Sequence, residues 1–237
     1  EDPSAFTLAM KLADEVGADV IFGTDPDCDR LGVAVRDKEG KFQLLTGNQI
    51  GCVLLHYILS SRKAQGTLPA NGAAVKSIVS TSLANRICED YGVEMFETLT
   101  GFKFIGEKIQ QFQDTGSHTF LFGFEESYGF LSSTFVRDKD GVMGSMLVAE
   151  MAQCAAAESR TLAEEMERLY ETYGFMENRL LNFDIAGAEP MKEMARVMAS
   201  LRANPLSSLA GSPVETVKDY APGIEGLPKS DVLSYQT

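Results

Sequence analysis

The sequence predicts an α/β layer fold with a mostly parallel sheet, and three observations carry that prediction. From Gly47 onward, segments with helical periodicity alternate with short apolar runs that are typical of buried strands. Several of these apolar runs end in polar loops, where open α/β sheets bind their ligands. The chain has 237 residues, of which 44% are hydrophobic and 23% charged, which is typical of a folded protein with one or two domains.

The first 46 residues predict one helix followed by three strands. Apolar residues at helical spacing begin after Ser4, a candidate N-cap, and stop at Gly17. The apolar run over residues 20–23 is interpreted as a buried strand. Residues 31–35 and 41–45 lie on either side of the polar turn Asp-Lys-Glu-Gly at 37–40, so they are predicted to form a β-hairpin.

The region after residue 46 supplies the alternation on which the fold class depends. Helices are predicted over residues 50–59, 83–91, 102–112, 142–157 and 162–173. Strands are predicted over residues 74–79, 93–99 and 119–124. The last part of the chain lacks this regular alternation. A strand is expected at 180–185, a helix at 191–201 and a polar, proline-containing connector at 204–237.

Charge and cysteine usage limit the function classes. The 21 lysines and arginines oppose 34 acids, for a net charge of −13. A chain this acidic is a poor general binder of nucleic acid or of anionic membranes, so neither is expected as a partner. No run approaches the roughly 20 apolar residues that span a bilayer. The four cysteines form no Cys-x-x-Cys motif, so a reducing, cytoplasmic location is expected.

Three aspartates alternate on the loop that follows the strand at 20–23. Carboxylates of Asp25, Asp27 and Asp29 can converge on one hard cation, and the neighbouring Arg30 can hold an anion. An EF-hand begins in the same way, but Arg30 and Arg36 occupy the loop positions that need glycine and glutamate. The alternative is a solvated acidic turn in which the aspartates cap their own backbone.

A second polar loop, Gly-Phe-Glu-Glu-Ser-Tyr-Gly, covers residues 123–129 at the end of a predicted strand. Its carboxylates and its serine suit the donors and acceptors of sugar hydroxyls. An exposed acidic turn is the alternative. A weaker signal lies at Thr100 and Gly101, where a helix begins after a strand and leaves backbone N–H groups free.

Two cations downstream are candidates for a phosphate contact. Arg137 and Lys139 are two residues apart, so they would face the same side of an extended segment. They could then clamp a phosphate, or Lys139 could donate a proton near one. Salt bridges to Asp138 and Asp140 are the alternative.

Four motifs in order resemble those of the α-D-phosphohexomutase superfamily, most closely its phosphoglucomutase branch. They are Asp-Pro-Asp-Cys-Asp-Arg at 25–30, Thr-Gly-Phe-Lys-Phe-Ile-Gly-Glu at 100–107, Gly-Phe-Glu-Glu-Ser-Tyr-Gly at 123–129, and Arg-Asp-Lys-Asp-Gly at 137–141. The resemblance covers about residues 1–185. It implies three-layer α/β/α domains with a mixed, mostly parallel sheet, and phosphoryl transfer that depends on Mg²⁺.

The resemblance also implies a role for each motif residue. Asp25, Asp27 and Asp29 would be the Mg²⁺ ligands, Arg30 would lie beside the transferring phosphate, and Lys139 would be a catalytic proton shuttle. A second group would bind the substrate: Glu125 and Ser127 at the 3- and 4-hydroxyls of the sugar, and Thr100 and Gly101 on a loop that approaches it. Arg137 is added to this group as a candidate phosphate contact on its spacing from Lys139 alone.

Two family motifs are absent, namely the Thr-Ala-Ser-His-Asn-Pro nucleophile loop and the Arg-Pro-Ser-Gly-Thr-Glu-Pro phosphate clamp. The resemblance therefore implies a central fragment. Residues 1–42 would be the end of domain 2 with the metal loop, residues 43–175 a complete domain 3 with the sugar loop, and residues 176–237 a linker and the start of domain 4. Domains 1 and 4 would be missing partners, and the isolated fragment is expected to be inactive.

The implied activity of the parent is interconversion of glucose 1-phosphate and glucose 6-phosphate, through a phosphoserine enzyme and a hexose 1,6-bisphosphate. Phosphomannomutase and phosphopentomutase activities of the same superfamily remain open. So does a non-catalytic module that binds a sugar phosphate or a metal. An aspartyl phosphatase with Asp25 as the nucleophile is a further alternative, although the crowding by Asp27, Asp29 and Arg30 favours the mutase.

Overall fold

The computed structural model describes residues 3–185, 189–224 and 226–237. These residues divide into two compact units, Glu1–Asn178 and Arg179–Thr237. The candidate site residues all lie in the first unit. Within the described residues, no helix combines the length and apolar character that crossing a membrane requires.

The first unit opens with a 3₁₀ turn, Pro3–Phe6, and helix α1, Thr7–Val16. Gly17 ends this helix as predicted, with a φ of 70° in the left-handed region that glycine adopts without strain. The predicted N-cap at Ser4 is wrong. Phe6 occupies the cap position, because the first turn is a 3₁₀ turn that moves the start of α1 to Thr7.

Three antiparallel strands follow in the order β1-β2-β3: β1 is Val20–Thr24, β2 is Leu31–Arg36 and β3 is Phe42–Leu45. The hairpin between β2 and β3 confirms the prediction. The expectation of a buried first strand is wrong, since Phe22 in β1 is 40% exposed. Among the described strands β1 lies at the edge of this sheet, whereas the central strand β2 is almost wholly buried.

Helix α2, Gly47–Ala64, begins with a capping box in which Thr46 and Gln49 satisfy each other's backbone N–H groups. The elements that follow are β4 (Gly72–Ser77), α3 (Leu83–Tyr91), β5 (Glu94–Thr98), α4 (Phe102–Thr115), β6 (Thr119–Glu125), β7 (Gly129–Leu131), α5 (Gly141–Ala157) and α6 (Leu162–Tyr173). All the predicted elements between residues 50 and 173 are present. The short strand β7 was not predicted.

The second sheet has the order β5-β4-β6-β7, with β5, β4 and β6 parallel and β7 antiparallel to β6. Its two faces enter different cores. Ala74, Phe122 and Phe124 join the large core that contains residues of α2, α3, α5 and α6. Ala73 and Val75 pack with α4 in a smaller core. Helices therefore cover both faces, and the predicted three-layer α/β/α fold with a mixed, mostly parallel sheet is confirmed.

The second unit contains helix α7, Pro190–Ala203, and two small hairpins. Strands β8 (Ser208–Leu209) and β9 (Ser212–Pro213) form one hairpin, and β10 (Thr216–Asp219) pairs with β11 (Leu233–Gln236). The predicted connector thus contains regular structure. Arg202 on α7 joins the second hairpin through ion pairs with Asp219 at 3.1 Å and Asp231 at 2.6 Å.

The strand predicted at 180–185 is wrong, because these residues form neither a helix nor a strand. Their apolar side chains are exposed, as at Leu180 and Phe183. An apolar run becomes a strand only when a neighbour accepts its backbone hydrogen bonds, and the described part of the chain supplies no such neighbour here.

Candidate functional site

The three aspartates lie on the turn between β1 and β2, and one carboxylate oxygen from each lies within 4.8 Å of those of the other two. The turn is held by its own backbone, since the N–H of Cys28 donates to the carbonyl of Asp25 at 3.0 Å. Cys28 has a φ of 57°, in the left-handed region that is uncommon for residues other than glycine. This conformation turns the chain tightly enough to bring alternate carboxylates together.

The charge state of the cluster suits a cation. Burial opposes ionisation of Asp25. Several hydrogen bonds together outweigh burial and lower the pKa of this carboxyl, chief among them the backbone N–H of Arg30, which donates to Oδ1 at 3.2 Å. Oδ1 of Asp29 is buried and accepts no hydrogen bond from the described residues. A buried oxygen without a donor is costly, and a divalent cation would satisfy it. The three carboxylates therefore fit a hard cation such as Mg²⁺.

Arg30 follows the aspartates and leaves the turn toward solvent. Its side chain is 43% exposed, and its Nε lies 3.9 Å from both Asp25 Oδ2 and Asp29 Oδ1. These are loose ion pairs, which contribute little in water. This exposure places the guanidinium where it could face an anion beside the aspartates.

The aspartate turn packs against the loop at 125–129 and the start of α5. The N–H of Leu31 donates to the carbonyl of Tyr128, and the N–H of Gly141 donates to the carbonyl of Cys28, each at 3.0 Å. A Cβ at residue 141 would lie 2.7 Å from that carbonyl oxygen, so only glycine fits. The two predicted site loops therefore pack directly against each other.

Lys139 reaches the aspartates from the segment before α5. Its Nζ lies 2.7 Å from Asp29 Oδ2 and 3.0 Å from Asp138 Oδ1. Burial alone would lower the pKa of this ammonium, but the bonds to Asp29 and Asp138 outweigh burial and raise it. The stem of the side chain crosses Gly129, where a Cβ would lie only 2.3 Å from Lys139 Cδ.

The loop at 123–129 meets the Thr100–Gly101 turn through a buried carboxylate. Glu125 is 4% exposed, and its Oε1 accepts the backbone N–H of Gly101 at 2.5 Å. Burial raises the pKa of Glu125, although the hydrogen bond from Gly101 opposes that shift. Thr100 beside it is exposed and Ser127 is half-buried. These four predicted residues are therefore close to one another.

Arg137 is not brought together with Lys139. Its guanidinium donates to the side chain of Gln110 at 3.2 Å and also to that of Gln113, both on α4. The segment between β7 and α5 is irregular rather than extended, so a spacing of two residues does not place two side chains on one side. A phosphate contact by Arg137 stays a prediction that would require these bonds to open.

Sequence reasoning did not identify Ser77 and Ser80 as part of this region. Their hydroxyls contact Oε2 of Glu126 at 2.8 and 3.1 Å. One signal was available, because Lys76, Ser77 and Ser80 are polar residues at the carboxyl end of a buried parallel strand, where ligand-binding residues collect.

Comparison with known proteins supplies two family matches. Residues 46–173 match the family described as phosphoglucomutase/phosphomannomutase, alpha/beta/alpha domain III. Residues 1–40 match the family described as domain II of the same enzymes. The first match alone covers more than half of the chain.

Individual relatives agree with these families. The chain is 40% identical over 220 residues to a phosphoglucomutase of Staphylococcus aureus strain MRSA252, a match that covers 93% of the chain and 39% of that protein. The chain therefore spans about two fifths of the length of the curated relatives it matches.

Solved structures show the same fold. A putative phosphomannomutase from Thermus thermophilus is 27% identical, with a TM-score of 0.56 over 73% of this chain and 35% of that one. The open form of pp63/parafusin, a phosphoglucomutase from Paramecium, has a TM-score of 0.59 at 17% identity and covers 97% of this chain and 38% of that one. The second likeness concerns the fold alone.

Proposed function

Since the chain belongs to the phosphoglucomutase/phosphomannomutase family, we propose that it is the central part of a phosphoglucomutase, which interconverts glucose 1-phosphate and glucose 6-phosphate through a phosphoserine enzyme and a hexose 1,6-bisphosphate. The observation that carries the proposal is the packing of the aspartate turn, Lys139 and the buried Glu125 around one site. The 40% identity to a bacterial phosphoglucomutase supports this substrate over the other hexoses.

In this proposal Asp25, Asp27 and Asp29 hold Mg²⁺, which when bound stabilises the negative charge of the transferring phosphoryl group. Arg30 contacts the same phosphate from the exposed side of the turn. Lys139 holds a proton near the reacting oxygen, and its bond to Asp29 keeps it charged and in place between substrate cycles.

Glu125 and Ser127 bind the 3- and 4-hydroxyls of the sugar, and Thr100 and Gly101 approach the sugar from the neighbouring turn. A buried carboxylate is a strong and directional acceptor for a hydroxyl pair, because water does not compete for it. Arg137 enters only if its guanidinium leaves Gln110 and Gln113.

The proposed division of the chain follows the same reasoning. Residues 1–42 belong to domain 2, residues 43–175 form domain 3, and residues 176–237 are the linker and the start of domain 4. Domains 1 and 4 of the parent supply the phosphoserine and the remaining phosphate contacts. The four cysteines are free thiols, which supports a reducing, cytoplasmic location.

The test compares the full-length protein with the 237-residue chain in an assay for glucose 6-phosphate formed from glucose 1-phosphate. We expect activity that needs Mg²⁺ in the full-length protein and none in the isolated chain. Activity of the isolated chain would refute the fragment proposal. A full-length protein that prefers mannose 1-phosphate or a pentose phosphate would instead establish another mutase activity of the family.

Two further outcomes would point away from a mutase. Tight binding of Mg²⁺ and a hexose bisphosphate to the isolated chain, measured by calorimetry, would indicate a binding module. A covalent phosphoryl group trapped on Asp25 would indicate an aspartyl phosphatase, in which that carboxylate is the nucleophile.

A further inference from the structure

Ser77, Ser80 and Glu126 form a compact polar group, here called the serine clamp, at the carboxyl end of β4. The two hydroxyl oxygens lie 2.8 Å apart, and both contact the same carboxylate oxygen, Oε2 of Glu126, at 2.8 and 3.1 Å. Ser77 is fully buried and Ser80 is 6% exposed. Hydrogen bonds to a carboxylate are strong in such surroundings, because water competes poorly there.

Contacts other than those with Glu126 also hold the two serines in place. Lys76 is 2% exposed, yet its Nζ donates to the carbonyl of Ser80 at 3.1 Å and pairs with Glu97 Oε1 at 2.9 Å. The N–H of Ser80 donates to the carbonyl of Ser77 at 3.1 Å, which closes a turn. The positions of the two serines are therefore fixed by contacts that do not involve Glu126.

Glu126 lies between the two residues that the proposed function assigns to the sugar. Its neighbour Glu125 is bound by the backbone of Gly101, so the adjacent carboxylates are held by different partners on different elements. The backbone of Glu126 also rests on α2, since a Cβ at Gly47 would lie 2.1 Å from the Glu126 carbonyl oxygen. Both the side chain and the main chain of this one residue thus contribute to anchoring the loop.

We propose that Glu126 is a positioning residue, and that the serine clamp sets the directions in which Glu125 and Ser127 meet the sugar hydroxyls. This inference rests on the proposed function. It adds a role for Ser77, Ser80 and Glu126, to which the proposed function assigns no sugar contact. A loop that is not clamped would be competent only part of the time, and the apparent affinity for the sugar falls by that fraction.

The chemistry of the serine clamp predicts which substitution is tolerated. Two hydroxyl protons serve three oxygen–oxygen contacts, so the clamp needs an acceptor at residue 126. A glutamine can turn its carbonyl oxygen toward the serines and keep the loop in place. An alanine removes this acceptor, so the hydroxyls can bond only to each other, one of the two buried protons has no partner, and the loop loosens.

The experiment compares Glu126→Ala, Glu126→Gln and the double variant Ser77→Ala/Ser80→Ala in the full-length protein. Glu94→Gln and Ser132→Ala are matched controls, because Glu94 pairs with His118 and Ser132 bonds to the carbonyl of Leu121, away from the sugar loop. The measured quantities are kcat and KM for glucose 1-phosphate and the inhibition constant of its 4-epimer, galactose 1-phosphate. Thermal unfolding verifies that each variant is folded.

For Glu126→Ala and the double variant we expect KM to rise about tenfold or more, with a smaller change in kcat. Discrimination against galactose 1-phosphate should fall as well, because the contact with the 4-hydroxyl is among those that loosen. Glu126→Gln and both controls should behave as the unchanged protein does. A merely destabilised fold would lower the unfolding temperature without changing the discrimination between epimers.

Two results would overturn the inference. The first is Glu126→Ala with unchanged KM and unchanged discrimination in a protein that is active on glucose 1-phosphate. The second is equal damage by glutamine and alanine, which would assign the effect to charge rather than to the clamp. If the double variant does not fold, Ser80→Ala replaces it. An unchanged protein that acts on no hexose phosphate would refute the proposed function itself.

Discussion

Lys139 Nζ lies 2.7 Å from Oδ2 of Asp29, and this ion pair joins two segments of different family assignment. Asp29 belongs to the part that matches domain II and Lys139 to the part that matches domain III. The lysine side chain is only 14% exposed, so the pair is shielded from salt more than a surface pair is. The candidate site thus depends on contacts between these two segments.

Replacement of Lys139 by methionine should lower kcat of the full-length protein by about a hundredfold or more, the range expected for loss of a general acid or base. Methionine keeps most of the stem that crosses Gly129, so the fold should survive. The matched control is Lys41→Met, since Lys41 is 78% exposed and pairs only loosely with Glu39 at 3.8 Å. Steady-state kinetics measure kcat for both variants. Full activity of Lys139→Met would show that Lys139 is not a catalytic residue.

Replacement of Asp29 by asparagine should weaken Mg²⁺ binding by about tenfold or more, because a unit charge a few ångströms from the cation is worth roughly 1–4 kcal/mol. Calorimetric titration of the full-length protein with Mg²⁺ measures this directly. Asp114→Asn is a suitable control, since Asp114 is an exposed residue of α4 that accepts from Gln110. Equal Mg²⁺ affinity in the two variants would place the metal elsewhere.

Replacement of Gly129 by alanine should displace Lys139, because the added Cβ would lie 2.3 Å from the lysine Cδ. We expect kcat/KM to fall by about tenfold to a hundredfold, as misplaced catalytic groups do, with a stability loss of about 1–3 kcal/mol. Gly72→Ala is the control. Gly72 is the first residue of β4, at the end of the strand away from the candidate site, and its added Cβ would lie 2.8 Å from the Leu121 side chain. It should cost similar stability and leave kinetics unchanged. Equal kinetics in both variants would contradict this interpretation.

Local signals explain which parts of the fold were predictable. Helix α3 has the predicted bounds, Leu83–Tyr91, because its periodicity and the left-handed Gly92 that ends it are both properties of a few adjacent residues. The strand at 180–185 failed because pairing requires a partner that no local pattern reveals. Strand β7 was missed because its three residues become a strand only by pairing with β6.

The candidate site divides in the same way. The spacing of Asp25, Asp27 and Asp29 was enough to predict that their carboxylates converge. The contact of Ser77 with Glu126 links residues 49 positions apart in the chain, so only the parallel pairing of β4 with β6 brings them together. The directions taken by Arg137 and Lys139 likewise depend on α4 and the aspartate turn, which spacing alone does not specify.

The pH dependence of stability gives a test of Glu125 that does not need activity. Its pKa is raised in the folded protein by burial, so the folded state binds a proton more readily than the unfolded state does. The contribution of Glu125 to the free energy of unfolding is therefore most favourable at low pH. It decreases as the pH rises from the ordinary glutamate pKa to the raised pKa of the folded state. Above the raised pKa, the buried charge destabilises the fold by a constant amount.

Glu125→Gln should accordingly unfold at a higher temperature than the unchanged protein at pH 7 to 8, and the difference should shrink as the pH falls toward about 4. Glutamine can still accept the N–H of Gly101, so the loop keeps its main contact. Glu107→Gln, at an exposed position of α4, should show no such trend. Thermal unfolding across this pH range measures both. A difference that grows toward low pH would mean that the charge of Glu125 stabilises the fold, contrary to the burial that the structure shows.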